Sequence, residues 1–166
     1  VGAEIIRTLH QRGWTVLIHY RHSADAAEQL AATLNQQRAN SAYILAADLN
    51  QAHTAHELAE AALAITGRID ALINNASSFY ATPIGQATLA EWDDLFASNA
   101  RAPFFLSQAL APYLRASQGC IVNIVDIHAQ RPYHQHTIYC MAKAALAMLT
   151  LSLAKELAPY VRVNGV

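Results

Sequence analysis

Two kinds of segment alternate along this 166-residue chain, and the alternation limits its fold more than any other feature. Short runs rich in Val, Ile and Leu read as buried strands: WTVLIHY (14–20), SAYILAAD (41–48), DALINNA (70–76), GCIVNIVD (119–126) and VRVNGV (161–166). Between them lie longer Ala-, Leu- and Glu-rich stretches whose apolar residues recur every three to four positions. They read as helices over 2–12, 24–38, 51–66, 88–117 with a break near Pro103, and 137–158. Strands separated by helices cannot pair as tight hairpins, so the pattern predicts an α/β fold. Its doubly wound parallel sheet is covered by helices on both faces and joined by right-handed crossovers. Local signals fix the boundaries. Ser23 is placed to cap 24–38, Gly13 and Gly67 close the first and third helices, and Thr88 with Glu91 three residues later forms a capping-box pattern.

A chain of this length fits one domain, 1–166. With 14% charged residues and a net charge of −1 it has no basic excess for nucleic acid and no polybasic membrane patch, which sets both aside as partners. Cys120 and Cys140 form neither a CxxC nor a Cys/His ligand spacing, so a reducing, cytoplasmic setting is expected. The apolar run AALAMLTLSLA (144–154), closed by Lys155 and Glu156, is shorter than the roughly 20 residues that span a bilayer and predicts a buried helix. The chain opens VGAEIIRTL without Met and closes VRVNGV within a strand pattern. It therefore reads as truncated at both ends, with a central strand, most of a glycine turn and a segment after Val166 expected to lie outside it.

In sheets of this class a dinucleotide places its pyrophosphate at the N-terminus of the first helix and its adenosine ribose at the end of the second strand. Gly2 is the one residue here in position to belong to the glycine turn, and on its own it reads more readily as an ordinary helix start. HYRHS (19–23) stands where the ribose is read. An acid at this point bonds a free 2′-hydroxyl, whereas His19, Arg21, His22 and Ser23 suit a 2′-phosphate and so favour NADPH. The same pentapeptide also reads as a solvated basic turn capped by Ser23. Asp48 closes the second run, where it can accept from an adenine amino group or cap the following helix. In DALINNASSFY (70–80) the small residues let backbone approach a flat ring, the Asn amides can tie strand ends together, and Phe79 can stack on an aromatic ligand or fill core.

Tyr139 and Lys143 are four apart on a predicted helix, so they share a face. An ammonium beside a phenol favours the phenolate and makes the phenol a readier proton donor. Thirteen residues before Tyr139, Asp126 closes the fourth apolar run, and Asn99 lies on the helix before that run. This assembly, with NNA (74–76), Asn99, YxxxK and RVNGV in order, resembles the short-chain dehydrogenase/reductase family over the whole chain. The resemblance implies a Rossmann-type fold in which Tyr139 donates the proton, Lys143 binds the nicotinamide ribose and lowers the Tyr139 pKa, and Asn99 holds a proton-relay water. The family usually carries Ser where this chain has Asp126. HYRHS, NNASSFYATP, Asp126 and TIYCMAK together look like the pteridine reductase branch, which carries Asp there.

That resemblance implies NADPH-dependent reduction of a pterin or folate. The implied catalytic residues are Asp126, Tyr139, Lys143 and Asn99. Cofactor contacts fall to Gly2, His19, Tyr20, Arg21, Ser23, Asp48, Leu49, Asn75, Ala76, Ser77, Tyr139 and Lys143, and substrate contacts to Phe79, Ser77, Asp126 and Tyr139. A dihydromonapterin reductase, a broad carbonyl or 3-oxoacyl reductase, and a non-catalytic nucleotide-binding domain stay open beside it. His128, His134 and His136 lack the spacing of a helical zinc site, so no metal is expected and they are placed at a pocket rim or in solvent. The last helix is apolar around most of its circumference. With the family's habit of pairing helices across a two-fold axis, this implies a homodimer or homotetramer through 88–117 and 137–158.

Overall fold

The computed structural model describes residues 1–51 and 53–166. Its chain divides into two compact units, Val1–Leu49 and Asn50–Val166. In the first, α1 (Gly2–Gln11), β1 (Val16–Tyr20), α2 (Ala24–Gln37) and β2 (Ala42–Ala46) follow in order. The two strands pair in parallel from Val16 against Ala42 to Tyr20 against Ala46. Parallel partners need a crossover, and α2 supplies it. Val16, Ile18 and Ala42 from the strands meet Ala27, Leu30, Ala31 and Leu34 from α2 in one buried cluster, with Ile6 and Leu9 of α1 packed against it.

The second unit carries α3 (Thr54–Thr66), β3 (Ala71–Asn74), α4 (Leu89–Phe96), a π-helical turn (Ala97–Arg101), α5 (Ala102–Ser117), β4 (Cys120–Asn123), a 3-10 turn (Ile127–Ala129), α6 (Thr137–Glu156) and β5 (Arg162–Gly165). The three strands form a parallel sheet in the order β3-β4-β5. The parallel α/β class read from the sequence is the class observed. Ile121 in the central strand is fully buried, as expected of a strand covered on both faces.

Most local signals hold. Gly67 caps α3 in the left-handed region at φ +65°, Gly13 follows α1 at φ +92°, and Thr88 and Glu91 make both bonds of the capping box. Others need correction. Ser23 sits at the N-cap of α2 without a side-chain cap bond. The helix read over 51–66 begins at Thr54, and Ala52 lies outside the described residues. The break read near Pro103 falls earlier, at the π-turn 97–101; Pro103 itself lies in the first turn of α5, where a missing N–H costs little. The final helix ends at Glu156 rather than 158. Each strand is shorter than its apolar run, because pairing covers only part of the run. In the fourth run β4 ends at Asn123, and Asp126 stands three residues beyond it, capping the 3-10 turn by accepting from the His128 N–H at 2.8 Å.

By length and composition α6 is long and apolar enough to cross a membrane, although the unbroken apolar run 144–154 within it is shorter than a span. It packs against β4, β5 and α4, burying Ile138, Ala142, Leu146 and Leu153 together with the polar Lys143 and Thr150. A buried polar chain ties this helix to the sheet. The Asn74 amide donates to Asn123 Oδ1 at 2.8 Å, the Asn123 amide donates to Thr150 Oγ1 at 2.8 Å, and the Thr150 hydroxyl donates to the Leu146 carbonyl at 2.8 Å. Each amide thus finds a partner inside, and three elements are locked in one register.

Candidate active site

In the second unit, the loop after β3, the π-turn, the segment after β4 and the start of α6 converge. Tyr139 and Lys143 lie on the buried face of α6, 4% and 3% exposed. The Tyr139 hydroxyl donates to Asp126 Oδ2 at 2.7 Å, and Lys143 Nζ donates to the Ile124 carbonyl at 2.9 Å while standing 5.7 Å from the Tyr139 ring centroid. Asp126 therefore faces Tyr139 directly, although it does not end the strand.

The expected lowering of the Tyr139 pKa by Lys143 is not what this arrangement produces. Burial raises the phenol first, and the hydrogen bond to the Asp126 carboxylate and its negative charge raise it further; Ser77 acts weakly the other way. Lys143 turns its ammonium to a backbone carbonyl, and burial pushes its own pKa down against the attraction of Asp126. For Asp126, burial alone would raise the carboxyl. The His128 N–H, the Tyr139 hydroxyl and the nearby Lys143 outweigh it and hold the group below its usual range. The pair is thus an ionised acid accepting from a neutral phenol.

Asn99 is fully buried within the π-turn, a widened turn of the kind frequent at functional sites. Its amide donates to the carbonyls of Ser78 at 3.0 Å and Leu95 at 2.9 Å, and its Oδ1 accepts from the Ser77 hydroxyl at 2.7 Å. Ser98 completes the clamp by accepting from the Ser78 N–H at 3.1 Å. Asn75 and Ala76, at the start of this loop, are half-buried. A second clamp holds its far end. The Tyr80 hydroxyl donates to Asp94 Oδ2 at 3.1 Å and the Asn50 amide to Asp94 Oδ1 at 2.6 Å, while Arg101 donates to the Asn50 carbonyl at 2.6 Å. Burial, Asp94 and Glu91 push the Tyr80 phenol up to about 12.

Phe79 is 53% exposed, with Tyr139 meeting its ring edge-on at 4.8 Å. The histidines read as pocket rim are partly built into this group. His136 lies nearly parallel to Phe79 at 4.7 Å, and His128 stacks on Tyr133 at 4.8 Å. His134 contributes a carbonyl. Sequence reasoning missed Tyr133, Ser98 and the stacking role of His136, and only the aromatic content of RPYHQH hinted at it. An open pocket of about 270 Å³ lies beside this loop, lined by His128, Pro132, Tyr133, Thr137, Cys140 and Met141; Asp126, Tyr139 and Lys143 do not line it.

The first unit holds the residues read for the adenosine end. His19 and Tyr20 end β1, and His19 Nε2 donates to the Ala47 carbonyl at 2.9 Å, since a carbonyl only accepts. Tyr20 packs on the core and Leu49 is buried. Gly2 opens α1 and Ser23 precedes α2. Arg21 and Asp48, assigned to a phosphate and an adenine, meet each other in an ion pair at 3.0 Å, both sides about a third exposed. A guanidinium and a hydroxyl at a helix start suit a phosphate, and here the guanidinium is shared with a carboxylate.

Comparison with known proteins gives a family model described as short chain dehydrogenase, which matches residues 1–166. Pteridine reductase 1 of Leishmania tarentolae is 40% identical across the whole of this chain and 71% of its own length. The uncharacterized oxidoreductase YmfI of Bacillus subtilis (strain 168) is 34% identical across the whole chain and 68% of its own length. The L-xylulose reductase of Bos taurus is 32% identical across the whole chain and 65% of its own length.

Proposed function

Since this chain belongs to the short-chain dehydrogenase/reductase family, oxidoreductases that work with a nicotinamide cofactor, we propose that the full-length protein is an NADPH-dependent reductase of a pterin C=N bond. The observation that carries the reading is the 2.7 Å bond from the Tyr139 hydroxyl to the Asp126 carboxylate, beside an exposed phenyl ring at Phe79. The 40% identity to a pteridine reductase supports it.

The bound nicotinamide would supply the hydride that adds to carbon. The side chains supply the proton and the orientation. Among the described residues Tyr139 carries the only hydroxyl proton bonded to Asp126, and it stays on oxygen because burial and the carboxylate both oppose ionisation. A 2-amino-4-oxo ring edge presents N–H donors, and an ionised Asp126 can accept from them where a serine hydroxyl would have to share its lone pairs. As the ring edge takes up Asp126, the Tyr139 hydroxyl turns away and donates its proton to the reduced ring nitrogen. Lys143 would hold the nicotinamide ribose, with Asn99 keeping a water in reach for proton return. Phe79 and Ser77 would contact the ring, with Asn75 and Ala76 beside the cofactor. Arg21 and Ser23, with His19 nearby, would hold a 2′-phosphate, and Asp48 the adenine. We propose also that the protein works in the cytoplasm as a homodimer or homotetramer.

NADPH consumption by the full-length protein tests this against dihydrobiopterin, dihydrofolate, dihydromonapterin and a ketoester. Reduction of a dihydropterin, lost in Asp126→Ser, is the expected result. Turnover of the ketoester alone would point to a broad carbonyl reductase, and cofactor binding without turnover to a nucleotide-binding domain. An Asp126→Ser protein that reduces dihydropterin as well as the parent would remove Asp126 from the mechanism.

A further inference from the structure

The ring through which Phe79 would receive a flat substrate is already covered by another ring. The His136 imidazole lies over it with centroids 4.7 Å apart and planes 16° apart, close to the geometry of a stacked ligand. Tyr139 meets the same phenyl ring edge-on, at an interplanar angle of 77°. His136 is also held from its own side. Its Nδ1 lies 2.7 Å from the His134 carbonyl, and because that oxygen only accepts, the proton is on Nδ1. Tyr133 flanks the imidazole at 4.6 Å with planes 38° apart, and His128 in turn stacks on Tyr133 with planes 22° apart. His136 makes no side-chain cap bond to α6, so its ring is not committed to holding the helix start.

We propose that His136 determines which substrates the site favours: its imidazole occupies the Phe79 face when no substrate is bound and must be displaced by any substrate that stacks there. The inference rests on the reading of Phe79 as a stacking residue. A bicyclic ring covers more of a phenyl face than a five-membered imidazole, so it regains on Phe79 what displacement loses. An acyclic carbonyl compound has no flat face to stack on Phe79, so it binds with His136 left in place. An aromatic pair contributes roughly a 2- to 12-fold factor in affinity beyond its buried area, which sets the scale of the effect.

The test is steady-state kinetics of the full-length protein with NADPH and three substrates: dihydrobiopterin, a flat bicyclic dione and an acyclic ketoester. In His136→Ala and His136→Asn, the KM of the flat substrates is expected to fall about 2- to 12-fold relative to that of the ketoester, with kcat moving less than KM. His136→Phe, which restores a ring, is expected to return the ratio toward the parent value. In a Phe79→Ala background, His136→Ala should leave the ratio where Phe79→Ala put it. An unchanged or inverted ratio in both His136→Ala and His136→Asn would overturn the assignment, as would an equal fall for all three substrates. If the parent protein turns over the dione and not the dihydropterin, the pterin reading fails while the dione ratio still decides the role of His136.

Discussion

Replacing Asp126 with Asn isolates what its charge does. The substitution keeps the shape and the cap, because an Asn oxygen can still accept from the His128 N–H that Asp126 holds at 2.8 Å. The other arm becomes an NH2 group facing the Tyr139 oxygen, now 2.7 Å from Oδ2, so the phenol loses an ionised acceptor. A hydrogen bond to a charged group contributes about 1.5–3 kcal/mol and a neutral one about 0.5–1.5, a difference of roughly 1–1.5 kcal/mol. The sign follows from which form the carboxylate opposes. Asp126 raises the Tyr139 pKa by disfavouring phenolate, so removing its charge lowers that pKa, while the burial contribution stays. If Tyr139 must be protonated to act, the basic limb of the kcat/KM profile, which reports the free enzyme, moves down by about one pH unit, the equivalent of that energy. Dihydropterin kcat/KM falls about 10- to 100-fold, the range of one lost charged hydrogen bond, while ketoester reduction falls much less. The assay is the pH dependence of NADPH consumption with each substrate. A basic limb that stays in place or moves up would refute the electrostatic reasoning, and equal losses on both substrates would refute the role of the charge in pterin recognition.

Lys143→Met removes a buried ammonium and its bond to the Ile124 carbonyl; affinity for the nicotinamide cofactor should fall at least about 10-fold by titration, with thermal stability changed by less than about 1 kcal/mol. Asn123→Leu interrupts the buried chain from Asn74 to Thr150 and should destabilise the fold by about 1–3 kcal/mol in urea unfolding, since the Asn74 amide is left without its partner. Gly119→Ala would set a Cβ against the Asp70 carbonyl group just before β3 and the Leu114 side chain, and a loss of about 1–3 kcal/mol is expected by the same measurement. The carboxyl of Asp126 is held below its usual range, so its contribution to stability is fully present above about pH 4 and is lost as pH falls through its lower folded value. Asp126→Asn should accordingly flatten the acid end of the stability profile.

What the sequence made legible was local. The capping box at Thr88 and Glu91 and the left-handed cap at Gly67 depend on residues within one turn, and the strand runs on their own apolarity. The site was legible where a spacing fixes a face, as with Tyr139 and Lys143 on α6. It failed where a distant group wins. Lys143 looked like the group that sets the acidity of Tyr139, but burial and a carboxylate from another segment set it in the opposite direction. Asp126 looked like the end of a strand because the run stays apolar through Val125. Pairing stops instead where its neighbours stop, at Asn74 and Gly165 opposite Asn123. The stacking of His136 on Phe79 joins two loops that no periodicity relates.

The π-turn at Ala97–Arg101 has a consequence for how this region tolerates length changes. A widened turn holds one residue more than a regular helix would, and that surplus directs the Asn99 amide and oxygen to Ser77 and Ser78. Deleting a single residue there would remove the surplus and bring α4 and α5 closer to one regular helix, broken only by the missing N–H of Pro103. It would also swing Asn99 round the helix axis by about a quarter turn or more and release the loop that carries Phe79. At this point the chain keeps an irregular helix, and a mutation that regularised it would dismantle the site.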